Sequence, residues 1–221
     1  MMKKIFEGVF ENRGQLWTKN LVPGKKVYGK KLETIGGIEY RQWNAFRSKL
    51  GGAIKNGLKE LPLREESKVL YLGSSEGTTP SHISDIIGKN GVLFGVDVAE
   101  RVMRKFIEIC NDRENLVPIL ADANLPKAYE EYLKGMEIDL LYQDISQKNQ
   151  GEIFNKNAEM YLKKGKPAFI AIKARSISQH GNVNEIFEHE LKELEKSFQI
   201  MQTIKLEPFD KEHLMAYCIK K

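Results

Sequence analysis

A loop of small residues and three separate acids stand out as groups that could bind one ligand together. The loop is the segment GSSEGTT at residues 73–79, which follows the apolar run VLYL. Asp97, Asp122 and Asp144 each come within two residues of the end of another apolar run, VLFGV, LVPIL or IDLLY. Such runs are typical of buried strands in a parallel sheet, and ligands bind beyond the carboxyl ends of these strands. We therefore expect the loop and the three acids to line one site.

The loop lacks both common phosphate-binding patterns. No lysine follows Gly77, as a phosphate loop requires, and Gly73 and Gly77 are spaced G-x-x-x-G rather than G-x-G-x-x-G. A glycine loop without a neighbouring lysine suits a ligand that is not strongly anionic. An adenosine with a cationic tail would use the loop and all three acids, because carboxylates accept hydrogen bonds from ribose hydroxyls and amines. Each acid taken alone is equally explained as a surface carboxylate that caps a helix.

Three basic side chains could add acid–base chemistry at this edge. Lys173 directly follows the apolar run AFIAI, Lys49 lies in a helical pattern before the first of these strands, and His213 precedes the last apolar run. A lysine that ends a buried strand is unusual, whereas helix lysines are commonly solvated and a histidine beside a strand is commonly structural. The residues alone leave a functional and a structural role open for each.

The order of the apolar segments predicts the elements that would position these groups. From residue 69 onward strands and helices alternate, and the chain closes with a hairpin formed by IMQTIKLE and LMAYCI. This pattern predicts an α/β, Rossmann-like fold with a mostly parallel seven-stranded sheet whose last strand enters antiparallel.

The first 43 residues follow a different pattern. Short strands are predicted over KKIFEGVF, QLWT, KVYG and GIEYRQW, with turns at Pro23-Gly24 and Gly36-Gly37. Helical spacing then runs from Phe46 to Leu61, with Asn44 as a candidate N-cap and Pro62 as the stop. We predict a small N-terminal β-rich domain at residues 1–43, without a full core of its own, and a main domain at residues 44–221.

Composition excludes several classes of protein. The chain of 221 residues is 41% hydrophobic and 29% charged, as globular proteins are. Its net charge is +5, and basic and aromatic residues are mixed in the first quarter of the chain. This composition favours a nucleic-acid partner, but it is equally typical of a solvated surface. The longest apolar run is far too short to span a membrane, and two widely spaced cysteines suggest neither a metal site nor a disulfide. We expect a cytoplasmic protein with no metal and no membrane contact.

Seven segments resemble the archaeal form of the fibrillarin family. In chain order they are KKVYGKKL, EYRQWNAFRSKL, YLGSSEGTTPSHISDI, ENLVPILADANLP, QDISQ, IAIKARSI and LEPFDKEH. The sequence lacks the glycine-arginine-rich arm of eukaryotic members, which favours the archaeal form. The resemblance implies an S-adenosylmethionine (SAM)-dependent RNA 2′-O-methyltransferase with the Rossmann-like methyltransferase fold. It would be the catalytic subunit of a C/D box ribonucleoprotein acting on pre-rRNA, with tRNA as a further target.

The resemblance also implies which residues bind SAM. The methionine end would lie against the loop, and the ribose, adenine and sulfonium against the following strand ends. The implied residues are Gly73, Ser74, Gly77, Thr78, Thr79, Asp97, Val98, Asp122, Ala123, Asp144, Ile145, Ser146 and Gln147.

Catalytic roles and partners follow from the same resemblance. Lys173 would be the base that takes the ribose hydroxyl proton, Asp144 would orient it, and Lys49 and His213 would position the ribose and its phosphate. Arg47, Lys49 and Arg175 would contact RNA. The implied partners are a C/D box guide RNA with its substrate RNA, a Nop-type scaffold protein and a kink-turn-binding ribosomal-type protein.

Three stretches depart from the family's usual pattern. One is Gln143-Asp144-Ile145-Ser146-Gln147-Lys148, where Glu-Asp-Val-Ala-Gln-Pro is usual, although the Asp and the Gln are kept. Glu76 stands where a serine or an Ala-Ser pair is usual, and Asp97-Val98 stands where a glutamate and an aromatic residue are common. Shared donor motifs leave two alternatives open: a methyltransferase acting on a protein side chain or a small molecule, and a largely structural assembly subunit. A nicotinamide dehydrogenase is disfavoured because the dinucleotide pattern fails.

Overall fold

The N-terminal sheet has five antiparallel strands. The computed structural model describes residues 2–221 and orders these strands β1-β2-β3-β5-β4. Their bounds are β1 (Lys3–Phe6), β2 (Val9–Asn12), β3 (Gln15–Lys19), β4 (Leu32–Ile35) and β5 (Ile38–Trp43). The predicted β-rich N-terminus is confirmed.

Two of the predicted strands of this sheet differ in the structure. The segment KKIFEGVF forms both β1 and β2, with a turn at Glu7-Gly8. The strand expected over KVYG is wrong, because Tyr28 and Gly29 have φ values of 52° and 68° and so form a turn. The fourth strand is β4 instead, and Gly36-Gly37 connects it to β5 with φ values of 59° and 78°. Two positive φ values are what a two-residue hairpin turn requires, and glycine adopts them without a steric cost.

The second sheet has seven strands in the order β11-β12-β10-β9-β6-β7-β8. Strands β6 to β10 pair in parallel, and β12 pairs antiparallel with both β10 and β11, as predicted. The strands are β6 (Lys68–Leu72), β7 (Val92–Asp97), β8 (Leu116–Leu120), β9 (Leu140–Gln143), β10 (Pro167–Lys173), β11 (Phe198–Lys205) and β12 (His213–Lys220).

Helices cover both faces of the second sheet. They are α1 (Lys49–Lys55), α2 (Thr78–Ile87), α3 (Glu100–Cys110), α4 (Glu130–Leu133), α5 (Gln150–Tyr161), α6 (Ala174–Ile177) and α7 (Val183–Leu194). Alternate residues of β6 join different core clusters, since Val69 and Tyr71 pack into one and Leu70 and Leu72 into the other. Burial on both faces explains why the strand reads as a continuous apolar run. Among residues 2–221, every helix is too short or too polar to cross a bilayer.

The helix predicted from Phe46 to Leu61 is shorter than expected. Asn44 caps a 3₁₀ turn over Ala45–Arg47, and α1 then starts after a second cap at Ser48. The helix stops at Lys55 because Gly57 turns the chain with φ 92°. Leu58 and Leu61 are buried although they lie beyond the end of the helix. The spacing of apolar residues in this segment therefore indicated which side chains are buried, and not how far the helix extends.

The two sheets share one hydrophobic core. Val9, Leu16 and Trp43 of the N-terminal sheet lie in the same cluster as Tyr71 of β6 and Ile83 of α2. The N-terminal sheet therefore lacks an independent core. The domain boundary between residues 43 and 44 stays a prediction.

Candidate active site

The site lies where the strand order of the second sheet reverses. The chain runs from β6 outward to β7 and β8, then returns to β9 on the other side of β6 and continues to β10. A crevice opens at such a switch point, beyond the carboxyl ends of the two central strands. Gly73 follows β6 and Asp144 follows β9, so the structure brings these two sequence-predicted residues together.

Gly73 is required by this close approach. Its φ is 82°, and a Cβ built on it would come within 2.5 Å of the Asp144 carbonyl oxygen. Gly77, the N-cap of α2, has φ 84°, and its Cβ would come within 2.5 Å of the Phe106 ring on α3. Both glycines of the loop are therefore set by backbone conformation and by space.

Neighbouring elements tie down the loop. The backbone N–H of Ser75 donates to Asp97 at the end of β7, at 2.8 Å. The Thr79 hydroxyl donates to Ser48, the N-cap of α1, at 2.9 Å. The loop that we call the donor loop, residues 73–79, is thus held between β7 and α1.

A cavity of about 370 Å³ opens beside the donor loop. Apolar side chains form most of its wall, and polar groups gather at the strand ends. The lining residues are Gly73, Ser75, Val96, Asp97, Val98, Ala99, Val102, Ala121, Ala123, Asp144, Ile145, Ser146, Gln147 and Lys173. An apolar cavity with a few convergent polar groups is the usual form of a small-molecule site.

A cluster of charged groups lies at one end of this cavity. The Asp144 carboxylate is 2.8 Å from Lys173 Nζ and 3.1 Å from Lys49 Nζ. Lys173 Nζ also donates to the Asp144 carbonyl and to the Ser146 hydroxyl, both at 3.0 Å. The three side chains, which lie far apart along the chain, therefore form one contiguous group.

The cluster continues through Asp210 to His213. Asp210 Oδ2 lies 3.4 Å from Lys49 Nζ, and Asp210 Oδ1 lies 3.1 Å from His213 Nδ1. His213 begins β12 and pairs in register with Lys173, the last residue of β10. The returning hairpin strand thus delivers the histidine to the edge where the lysine ends.

The pairing sets the charges of two members. Burial opposes ionisation of Asp144, but Lys49 and Lys173 outweigh it and lower the pKa of that carboxyl. Burial also opposes the charge on Lys49, but Asp144 and Asp210 outweigh it and raise the pKa of the amine. Near neutral pH the cluster therefore holds an ionised Asp144 beside a cationic Lys49.

Comparison with known proteins identifies the family. The sequence model described as Fibrillarin matches residues 1–221. A "Fibrillarin-like rRNA/tRNA 2'-O-methyltransferase" of Methanococcus maripaludis is 46% identical over 226 residues, covering 100% of this chain and 97% of the relative. The chain belongs to the fibrillarin family. The predicted family membership is confirmed.

Solved fibrillarin structures share the whole fold. Aeropyrum pernix fibrillarin, solved with natively bound S-adenosyl-L-methionine, has a TM-score of 0.90 and 41% identity over 99% of this chain and 98% of that chain. A fibrillarin in complex with Nop5p has a TM-score of 0.90 and 36% identity over 99% of this chain and 100% of that chain. The predicted fold class is confirmed.

Some of the site residues predicted from the sequence do not line the 370 Å³ cavity. The Asp122 carboxylate instead accepts hydrogen bonds from Asn124 N at 2.8 Å and from Gln147 Nε2 at 3.1 Å. It can therefore orient Gln147, which does line the cavity. Arg175 pairs with Glu212 at 2.6 Å, outside the cavity. The predicted roles of both residues stay predictions.

Sequence reasoning missed two residues beside the site. Asp210 bridges Lys49 and His213, and its place three residues before His213 in LEPFDKEH could have suggested it. The Tyr28 hydroxyl donates to the Glu76 carbonyl of the donor loop. Tyr28 lies in the mixed basic and aromatic first quarter of the chain, and no local spacing connects it with residue 76.

Proposed function

We propose that this chain is a SAM-dependent RNA 2′-O-ribose methyltransferase, the catalytic subunit of a C/D box guide ribonucleoprotein. The observation that carries the proposal is the Lys49–Asp144–Lys173 cluster at the end of the 370 Å³ cavity. Paired lysines beside a ligand cavity suit activation of a hydroxyl, which is a poor nucleophile until it loses its proton. The name of the Methanococcus maripaludis relative, an rRNA/tRNA 2′-O-methyltransferase, supports the same reaction.

The residues present fit SAM as the methyl donor. Valine, alanine and isoleucine side chains of the cavity suit an adenine ring, and Asp97 at the end of β7 suits ribose hydroxyls. Asp144 offers a negative charge to a cationic sulfur. In residues 2–221 the buried Ser74 hydroxyl of the donor loop lacks a hydrogen-bond partner. The SAM found natively bound to Aeropyrum pernix fibrillarin supports this assignment.

Each member of the charged cluster has a separate task in the proposed reaction. When bound, SAM supplies a methyl group on a positively charged sulfur. Lys173 takes the ribose 2′-hydroxyl proton at its Nζ, which requires a neutral amine. Lys49 shares the Asp144 carboxylate with Lys173 and so lies beside the same reaction centre.

The remaining members position the reactants. Asp144 orients Lys173 through the 2.8 Å contact, and Lys49 with His213 holds the ribose and its phosphate. Asp210 keeps Lys49 and His213 side by side. Alignment of two bound reactants contributes up to roughly 7–11 kcal/mol to such reactions.

The proposed partners select the target nucleotide. The Nop5p complex of a related fibrillarin supports a Nop-type scaffold protein as partner. A C/D box guide RNA and a kink-turn-binding protein complete the proposed assembly, and base pairing rather than this chain would choose the nucleotide. Arg47, Lys49 and Arg175 are the proposed RNA contacts, and the proposed location is the cytoplasm.

Labelled SAM tests the proposed function. The complete assembly, with and without guide RNA, is incubated with a target RNA, and the product is mapped by resistance of one linkage to alkaline cleavage. We expect one methylated ribose at the guided nucleotide and none without the guide. Donor binding without ribose methylation by the complete assembly would instead indicate another methyl acceptor.

A further inference from the structure

A second cavity adjoins the donor loop and the first cavity. It has a volume of about 200 Å³ and shares Gly73, Ser75, Asp144 and Lys173 with the larger cavity. Its remaining wall consists of Arg47, Lys49, Tyr71, Ser74, Glu76, Thr78, Thr79 and Pro80. The two cavities are therefore parts of one continuous site, and a ligand longer than adenosine would extend from one into the other.

Arg47 is the available cation of this second cavity. Lys49 and Lys173 are paired with Asp144, whereas no carboxylate in residues 2–221 forms an ion pair with Arg47. The Arg47 guanidinium carbon lies 5.7 Å from the centroid of the Tyr28 ring, a cation–π contact that favours this position of the side chain. The Arg47 N–H groups are thus free to bind an anion.

Tyr28 connects this arginine with the donor loop. Its hydroxyl donates to the Glu76 carbonyl, while its ring carries the Arg47 guanidinium. Burial, with the nearby Glu76 and Glu108 carboxylates, raises the pKa of Tyr28 to about 12, so the hydroxyl remains a donor. The Glu76 side chain is paired with Lys105 on α3. The carboxylate of Glu76 is thereby held by a cation outside the cavity.

The wall of the second cavity offers further donors. Thr78 and Thr79 begin α2, where backbone N–H groups have no partner inside the helix. The Ser74 hydroxyl also lines this wall, is 1% exposed, and has no hydrogen-bond partner within the described residues. A helix start, a buried free hydroxyl and an unpaired guanidinium together form a site for a carboxylate.

The geometry points to Arg47 as the residue that binds the α-carboxylate of the donor's amino-acid end in the cavity that it lines with Thr78 and Thr79, with Tyr28 as its positioning residue. This inference rests on the proposed function, because it takes SAM as the ligand. It assigns Arg47 to the donor, in place of the RNA contact proposed for this residue from the family resemblance.

Two donor analogues test the assignment without RNA or partner proteins. S-adenosylhomocysteine carries the amino-acid end, whereas 5′-methylthioadenosine keeps the adenosine and the sulfur but lacks it. Calorimetric titration measures both with wild type, Arg47→Ala, Arg47→Lys and Arg64→Ala. Arg64 is the matched control, since it is also exposed and lacks an ion-pair partner among residues 2–221.

We expect Arg47→Ala to weaken the binding of S-adenosylhomocysteine by about tenfold. The binding of 5′-methylthioadenosine should weaken by less than about twofold. Arg47→Lys keeps the charge but loses the planar fork, so its loss should be intermediate. Arg64→Ala should match wild type with both analogues, and thermal midpoints of the variants should agree.

Four results would overturn the inference. Equal losses for the two analogues would mean that Arg47 only supports the loop. Unchanged affinity of Arg47→Ala for S-adenosylhomocysteine would mean that Arg47 does not contact the donor. Equal affinity of the wild type for the two analogues would show that no subsite binds the amino-acid end. This result would leave the proposed function unaffected. Failure of wild type to bind S-adenosylhomocysteine would overturn the proposed function as well.

Discussion

Asp144 and Asp85 each lie between two basic side chains, but their surroundings differ. Asp85 on α2 contacts Arg41 and Arg113, both at 2.7 Å, and these three side chains are 0–1% exposed. Asp144 contacts Lys173 at 2.8 Å and Lys49 at 3.1 Å, with side-chain exposures of 12–18%. One cluster is enclosed in protein, and the other opens into the two cavities.

The choice of cation separates the two clusters further. Arginine keeps its proton and presents a planar fork, whereas lysine is a point charge that can release a proton. Asp85 also accepts hydrogen bonds from the Thr18 hydroxyl and the Leu21 N–H. Its carboxylate therefore has little remaining capacity to accept further hydrogen bonds. The same acid between two cations is therefore structural in one place and suited to proton transfer in the other.

The enclosed cluster, residues Thr18, Lys30, Arg41, His82, Asp85 and Arg113, joins the N-terminal sheet to α2. Arg41 lies on β5 and Thr18 on β3, while Asp85 lies on the helix that begins at the donor loop. Burial lowers the pKa of His82 far below its ordinary value, so the ring is neutral and accepts from Lys30 Nζ at 2.8 Å. The cluster therefore helps to hold the donor loop in place.

The largest expected effect is on chemistry at the open cluster. Lys173→Ala should slow methyl transfer about 10²–10⁴-fold, because it removes the group that takes the proton. Donor affinity and the free energy of unfolding should change little. Single-turnover transfer in the complete assembly measures the rate, and a transfer rate near that of wild type would exclude Lys173 as the base.

The next largest effect is on stability at the enclosed cluster. Asp85→Asn leaves two buried guanidinium groups without their carboxylate and should cost about 3–5 kcal/mol in the free energy of unfolding. Asp144→Asn should cost less, because its lysines can reach water. Urea denaturation of both variants measures the difference, and a larger loss for Asp144→Asn would reverse the comparison.

A smaller effect should appear in the pH dependence of stability. Burial, aided by Arg41 and Arg47, lowers the pKa of Lys30 to about 7 from the ordinary 10.5. Between these values the unfolded chain binds more protons than the folded protein, so stability should rise with pH. From pH 7 to pH 8.5 the gain from this group is roughly 1–2 kcal/mol.

Two lysine variants isolate this contribution. Lys30→Met should lose the gain, measured as the change in the free energy of unfolding between the two pH values. Lys31→Met, at an exposed neighbouring position, should keep it. Parallel pH profiles for wild type and Lys30→Met would show that Lys30 keeps an ordinary proton affinity.

The smallest effect should come from the exposed pair at the donor loop. Glu76 and Lys105 are 31% and 46% exposed, and such pairs contribute about 0–1 kcal/mol. Glu76→Ser should therefore change donor affinity by less than about fivefold, because Tyr28 contacts the backbone at this position and not the side chain. A loss well above tenfold in calorimetry would place the carboxylate against the donor.

The open cluster was largely predictable from the sequence, and the enclosed cluster was not. Asp144 and Lys173 end apolar strands, so the parallel-sheet rule alone brings them to one edge. Asp85 lies 44 residues after Arg41 and 28 residues before Arg113. No short-range pattern in the sequence predicts that these side chains are in contact. Asp210 was missed for a related reason, because its contact with Lys49 depends on the return of β12 beside β10.

The most direct test measures single-turnover methyl transfer by Asp144→Asn and Asp85→Asn. Each variant is compared in the complete assembly, at a temperature where both remain folded by circular dichroism. We predict that transfer falls at least about 10²-fold in Asp144→Asn and stays within about tenfold of wild type in Asp85→Asn. Comparable losses in the two variants, or a larger loss in Asp85→Asn, would contradict the assignment of catalysis to the open cluster.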